Sequence, residues 1–490
     1  MPEYHPPEFV GNFIDGKECR AVEKEEFPKF SPADGQVLFK VARSRAADVE
    51  MAVKASKRAQ PSWEDTTVVY RSDILRAAAL ILRERKEEMA RIVALETGKS
   101  FKDALGETGA AIEMGFFVAG EGRRFYGRTT TSAVQSKSVI TVRQALGVAG
   151  LIVAANTPIA NVAWKAFPAL LCGNTAVLKA AEDTPLTALA FAKILNEAGL
   201  PAGAFNVIQG FGEEAGAPIV DSPNVDIVSF TGSCEVGRII QQRAGARLAK
   251  VCLELGGKNP LVVCDDADLN LAVEAAVLAA FSNAGQRCAS ASRIIIFDSV
   301  YENFREMFVE RTKQLKVGCS DEDDLGPVIN QEQLDNMLKA VEKARAEGAV
   351  ILTGGHRLSG PGYEGGFFMA PTIIENVALD AEISRTELFG PITCLYRVKD
   401  FEEALAMAND SPFGLTAAIH TKNINRMMRF VFKIKVGAAI VNGPTYGSEP
   451  HMPFGGLKNS GTGWREAGTE ALDVYSDWKS ISINFDPKAV

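Results

Sequence analysis

From Gly147 onward the chain alternates short, β-branched apolar runs with longer amphipathic stretches, and this alternation restricts the fold more than any other feature. The run Gly147 to Ala154 leads into a helix-like stretch ending at Leu171, and TAVLK, FNVIQG and VDIVSFTGS follow as further strand patterns. Between them lie a helix opened by Thr184-Pro185, as N-cap and first-turn proline, and another from Cys234 to Ala246. From Gly257 the pattern begins again. LVVC, a helix from Leu269 to Ser282, a loop carrying Cys288, RIIIF and a helix from Tyr301 to Leu315 come in turn. Gln331 to Glu347, FGPITCLYRV, Phe401 to Asn409 and AAIVN complete it. Strands and helices alternating at this length build mostly parallel sheets, so we expect two α/β domains. No low-complexity linker divides them, and they should pack closely.

Ahead of these units, residues 11 to 43 carry short strand and turn signals. Three helical patterns follow, at Ala47 to Gln60, Ser72 to Glu96 (stopping at Gly98) and Ala104 to Gly122. The stretch Thr129 to Gln144 alternates like two exposed strands. Gln144 to Trp164 has no charged residue and is long enough to span a bilayer. Its glycines, β-branched residues and Pro158 instead mark a buried strand leaving into a loop, and we reject the membrane reading.

At 490 residues the chain exceeds one core, so two or three domains are expected. With 47% hydrophobic and 23% charged residues it has an ordinary globular composition. A net charge of −8 without a basic tract argues against nucleic acid as a partner. The eight cysteines include no C-x-x-C pair, and His5, His356, His420 and His451 show no ligand spacing, so no metal site is expected. The start, MPEYHPPEFVGNF, lacks a basic and apolar leader. Reduced thiols in a cytoplasm fit best.

The chemistry concentrates between Val251 and Arg293. A short apolar strand ends on Glu254 and runs into Gly256-Gly257, and a later loop, FSNAGQRCAS, presents Cys288. A nucleophile and a carboxylate are the parts needed for covalent acyl chemistry followed by hydrolysis. Alone, a cysteine is more often a small core residue, and a strand-end glutamate is usually solvated. After the strand VDIVSF comes Gly232-Ser233-Cys234-Glu235-Val236-Gly237. Glycines at such a turn let backbone N–H groups approach a pyrophosphate, although an ordinary tight turn is the commoner cause.

LELGGKNP followed by GQRC resembles the two active-site signatures of the NAD(P)-dependent aldehyde dehydrogenases, over nearly the whole chain. The resemblance implies two Rossmann-like open parallel-sheet domains and a small β oligomerisation arm. Residues 1–124 and 145–256 would bind coenzyme, 257–460 would form the catalytic domain, and 125–144 with 461–490 the oligomerisation hairpin and tail. It implies Cys288 as nucleophile, Glu254 as general base and Asn156, in AANTP, as the oxyanion donor. Ala154, Ala155 and Thr157 replace the usual larger neighbours of that asparagine. Trp164 and Phe454 would line the substrate channel, and Lys165 would belong to a proton route. Gly232, Ser233 and Gly237 would meet the pyrophosphate, Lys179 and Glu182 the adenosine ribose, and Glu387 and Phe389 the nicotinamide side. Glu182 favours NAD, with NADP possible. A small-molecule aldehyde and a homodimer or homotetramer are the expected partners. The hairpin and the tail strand Trp478 to Asn484 should each leave unpaired edges in a monomer, and the hairpin is equally readable as plain surface. Glu254 speaks against a CoA-acylating relative. An NADP-preferring semialdehyde dehydrogenase and a non-catalytic protein retaining the fold remain as alternatives.

Overall fold

A computed structural model describes residues 4–488; the first three residues of the N-terminal reading and the last two of the tail lie outside it. Two seven-stranded sheets organise the molecule. In the first, five parallel strands lie side by side in the order Lys250–Glu254, Ile227–Thr231, Val148–Ile152, Thr175–Lys179 and Phe205–Ile208. The chain enters in the middle, winds one way, and returns to wind the other. Its topological switch point therefore lies between Val148–Ile152 and Ile227–Thr231, where open α/β sheets bind ligands beyond the carboxyl ends of the strands. Asn12–Ile14 and Lys17–Cys19 extend this sheet antiparallel.

The second sheet runs Val350–Thr353, Thr372–Glu375, Ile392–Val398, Ala291–Phe297, Asn259–Val263, Thr416–His420, Ala438–Val441. All pairings are parallel except the first. Both sheets are covered on both faces. Ala149 and Leu151 enter one core while Val148 and Ile152 enter the core on the other side, and Val262 and Leu261 divide in the same way in the second sheet. Two buried faces explain why these strands read as continuous apolar runs rather than alternating ones. From Glu254, at the carboxyl edge of the first sheet, only Leu255–Lys258 intervene before Asn259 opens the second. The carboxyl ends of one sheet thus face the amino ends of the other.

Several helices match the sequence reading closely: Cys234–Ala246, Phe401–Asn409 and Gln331–Ala346. Others differ. The pattern from Ser72 to Glu96 forms two helices, Val68–Glu84 and Lys86–Thr97, broken at Arg85, whose φ of −102° and ψ of 23° leave the helical region. Thr184 stands before the helix Pro185–Glu197, but its hydroxyl makes no capping bond. Glu96 takes that role from a neighbouring helix, accepting from the Leu186 and Thr187 N–H groups at 2.7 and 2.8 Å. The region 144–164 is the end of one strand, the strand Val148–Ile152, a loop, and part of the helix Pro158–Leu171. No helix of the described residues is long and apolar enough to cross a membrane.

The arm corrects one expectation. The hairpin strands Arg128–Thr131 and Lys137–Ala145 do not leave both edges open, because the tail strand Ser476–Asn484 pairs along Lys137–Ala145 within the same chain, from Ser476 opposite Ala145 to Asn484 opposite Lys137. One edge of the hairpin and one edge of the tail satisfy each other. Before it reaches the arm, the last segment fills the first core with Ala467, Leu472, Val474 and Tyr475.

Candidate active site

The Cys288 loop follows the helix Leu269–Phe281 through three consecutive left-handed residues, Asn283, Ala284 and Gly285, at φ of 53, 52 and 67°. Such conformations cost about 1–3 kcal/mol each for non-glycine residues and persist only where surroundings enforce them. Here they do. Asn283 Nδ2 donates to Gln286 O at 3.1 Å and to Asn156 O at 3.2 Å. The buried Gln286 side chain accepts from Ile329 N at 2.8 Å. Asn259 Nδ2 donates to the Cys288 and Ser290 carbonyls at 2.8 and 2.9 Å, and Thr445 Oγ1 to Ala289 O at 2.6 Å. At Gly285 a β-carbon would come within 2.1 Å of Gly390 O, so no side chain fits there.

Asn156 sits between the central strand and the helix Pro158–Leu171. Its Nδ2 donates to Gln286 O at 2.9 Å, which aims the amide at the cysteine loop and leaves its second N–H uncommitted. Its own carbonyl accepts from Lys99 Nζ at 2.7 Å. Lys99 is buried and paired with buried Glu107 at 2.6 Å. Glu107 in turn accepts from Ile159 N at 3.1 Å at the helix start. A buried ion pair therefore sets the backbone on which the asparagine stands.

Glu254 is buried, and neither of its carboxylate oxygens has a hydrogen-bond partner among the described residues. Burial first, then the nearby Glu466 carboxylate, push its pKa well above the ordinary carboxylate range, against Lys165 and Arg465. A β-carbon at Gly455 would lie 2.6 Å from Glu254 Oε1, so the turn after Phe454 closes directly over this carboxylate. Lys165, fully buried, forms an ion pair with Glu466 and donates to Ser229 Oγ at 2.9 Å. The Cys288 thiol is pushed up to about 12, by burial first and then by the Glu387 and Glu254 carboxylates, with Arg287 opposing. The activation of the thiol that the chemistry requires is thus not built into this resting arrangement, and the thiol is neutral near pH 7.

On the coenzyme side, Gly232 and Ser233 lie just beyond the carboxyl end of Ile227–Thr231. Ser233 Oγ caps the helix Cys234–Ala246 by accepting from Val236 N at 3.2 Å. Gly237 lets that helix approach the sheet, since a β-carbon would meet Leu255 at 2.7 Å. Lys179 Nζ donates to Glu182 Oε2 at 2.5 Å. Burial works against ionising Glu182, but the Lys179 charge and hydrogen bond prevail and lower its pKa. Glu387 Oε1 accepts from Gly257 N at 3.0 Å; burial raises its pKa to about 7 against that bond and Lys258. Phe389 holds a left-handed φ of 55°. A helix N-terminus, glycines and acidic groups at a switch point fit a dinucleotide. On the opposite side, Trp164 and Phe454 meet edge to face, 5.7 Å between ring centroids.

The sequence profile of the aldehyde dehydrogenase family matches residues 20–481. The chain belongs to the aldehyde dehydrogenase family. Its relatives include an alpha-ketoglutaric semialdehyde dehydrogenase of Bacillus subtilis, 40% identical across 96% of this chain and 97% of that one. A mitochondrial aldehyde dehydrogenase of Leishmania tarentolae is 38% identical across 96% and 93%. Among solved structures, betaine aldehyde dehydrogenase from Staphylococcus aureus in complex with NAD+ superposes with a TM-score of 0.95 at 33% identity, covering 98% of this chain and 96% of that one. An E. coli NADP-dependent enzyme gives 0.94 at 36% identity, with 97% and 98% covered. This aldehyde dehydrogenase is accordingly an NAD(P)-dependent aldehyde oxidoreductase with the two-sheet α/β fold of its relatives.

Within this aldehyde dehydrogenase, two loops and a strand end bring Asn156, Cys288 and Glu254 to one place between the sheets. The residues that fix them were not singled out from sequence: Lys99, Glu107, Asn259, Gln286 and Glu466. Asn259 and Gln286 alone lay in view, inside GGKNP and GQRC. The others act across separations that no local pattern records.

Proposed function

We propose that the enzyme oxidises an aldehyde to a carboxylic acid with NAD through a covalent thioester on Cys288. The observation that carries this reading is the convergence at the Cys288 loop: Asn156 reaches Gln286 O at 2.9 Å, while Asn259, five residues after Glu254, holds the Cys288 carbonyl at 2.8 Å. Glu254, with both oxygens free, removes the thiol proton, and the sulfur adds to the aldehyde carbon. The free N–H of Asn156 and the backbone N–H of Cys288 hold the oxyanion of the thiohemiacetal. Bound NAD supplies a hydride acceptor, held by the Ser233 helix terminus, the Lys179–Glu182 pair and Glu387. Loss of that hydride leaves a thioester, and Glu254 deprotonates the water that hydrolyses it. Lys165 and Glu466 form the inner end of a route for the proton. Trp164 and Phe454 wall the channel.

Glu182 stays ionised beside Lys179 and would repel a 2′-phosphate, which supports NAD over NADP. Residues up to 256, apart from the hairpin, would form the coenzyme domain and 257–460 the catalytic one. The hairpin and tail would assemble a dimer or tetramer in a reducing, cytoplasmic compartment. The decisive experiment uses two variants with a panel of aldehydes, following NADH. Cys288→Ala should give neither NADH nor adduct. Glu254→Gln, where its thiolate still forms, should give one equivalent of NADH in a burst and then slow by about 10²–10⁴-fold, with the acyl group mapped to Cys288. An unslowed steady state in Glu254→Gln would refute the assigned role.

A further inference from the structure

We infer that Arg287 reads a carboxylate on the substrate, so that the preferred aldehydes are short oxo-acids carrying a second, anionic end. This rests on the aldehyde-oxidising reading and narrows it to a substrate class.

Arg287 directly precedes Cys288 in the same pinned loop and is partly buried. Its Nε donates to Ser282 Oγ at 3.3 Å, and its guanidinium lies 4.8 Å above the Tyr446 ring. Among the described residues no carboxylate comes within ion-pair distance of it, and its two terminal nitrogens make no hydrogen bond. Arg43, Arg385 and Arg397, by contrast, each lie against carboxylates. A partly buried guanidinium without a partner is costly, and one facing a channel gains by meeting an anion.

Arg287 borders the cavity lined by Glu387 and Phe389, but its guanidinium turns to Ser282 and Tyr446. Tyr446 belongs to the loop that Thr445 fastens to Ala289 and that continues to Phe454, against Trp164. Of the nearby cations, Lys99 is committed to Glu107 and Asn156 O, and Lys258 is buried beside Glu387, which leaves Arg287 as the cation turned toward Tyr446. With Nε held by Ser282 and one face covered by Tyr446, the fork is pre-oriented with its two outer nitrogens open. Two parallel N–H···O bonds from that edge suit a carboxylate.

The test compares 4-oxobutanoate, butanal and glyceraldehyde 3-phosphate in the wild type, Arg287→Met and Arg287→Lys. Hydrogen bonds to a charged group predict a wild-type advantage of roughly 10- to 100-fold in kcat/KM for 4-oxobutanoate over butanal. Arg287→Met should erase that ratio, mainly through KM, and Arg287→Lys should keep part of it. Glutarate should slow iodoacetamide alkylation of Cys288 in the wild type and not in Arg287→Met. Equal losses on both aldehydes in Arg287→Met, no wild-type advantage for the oxo-acid, or a preference for the phosphate would each overturn the inference. Turnover of butanal without that advantage leaves the aldehyde-oxidising reading standing. If neither aldehyde turns over, that reading fails and the glutarate experiment still decides the carboxylate site.

Discussion

At Cys288 the environment opposes the reaction it is built for. Burial first, then the Glu387 and Glu254 carboxylates, hold the thiol protonated, so on the proposed mechanism reactivity depends on proton removal by Glu254, whose own pKa burial has raised. As pH rises through that raised value, Glu254 loses its proton and becomes a base. Stopped-flow alkylation and kcat/KM should therefore increase with pH above the ordinary carboxylate range, and Glu254→Gln should lose this limb of the profile. Asn156→Ala removes the proposed oxyanion donor and should lower kcat by about 10²–10³-fold in steady-state assays. Glu254 and Cys288 could be singled out because their flanks are chemically peculiar, a Gly-Gly turn after a strand-end glutamate and a thiol within GQRC, whereas Asn156, in AANTP, rested on the resemblance alone. Lys165 was legible as a position but not as a contact. Its partner Glu466 lies 301 residues away, and nothing beside either residue announces the other.

At the scale of elements, buried charge does what turn chemistry alone would be expected to do. The Lys99–Glu107 pair joins the start of one helix to its interior and to the start of another. Glu107→Gln leaves Lys99 buried without a counter-charge and should cost roughly 3–5 kcal/mol. Adding Lys99→Met should recover part of that loss, and chemical denaturation measures both. The Ser72–Glu96 reading failed at Arg85 for a related reason. Apolar residues keep helical spacing across the break, and no glycine or proline marks it. The turn is set by how two helices pack, which spacing does not encode. Thr184 shows the converse: a recognisable capping residue went unused because Glu96 arrived from another helix.

Across the whole molecule, Glu96 ties stability to pH. Burial carries its pKa from the ordinary 4.5 to about 7 in the folded protein, against its hydrogen bonds to Thr187 and Leu186 and the Lys29 charge. Because the folded value lies above the unfolded one, its contribution is complete below about 4.5 and is lost as pH rises toward 7, roughly 3 kcal/mol over that window. Glu96→Gln should flatten melting temperature against pH there. In the arm, the outer edges of Arg128–Thr131 and Ser476–Asn484 remain unpaired within the chain, and Trp478 and Ile483 stand exposed. Such edges invite association, and light scattering at micromolar concentration should show a dimer or tetramer. The two-sheet plan was readable from alternation, whereas the pairing of tail with hairpin was not, because strand partners leave no mark on either strand. That same closing segment has a consequence for synthesis. A nascent chain that has reached residue 460 has already made every strand of both sheets, yet its first core lacks Leu472 and Tyr475, and Lys165 has no counter-ion. The earliest half to emerge from the ribosome is thus among the last to be completed, and a stop codon near the end would leave a first core that never seals.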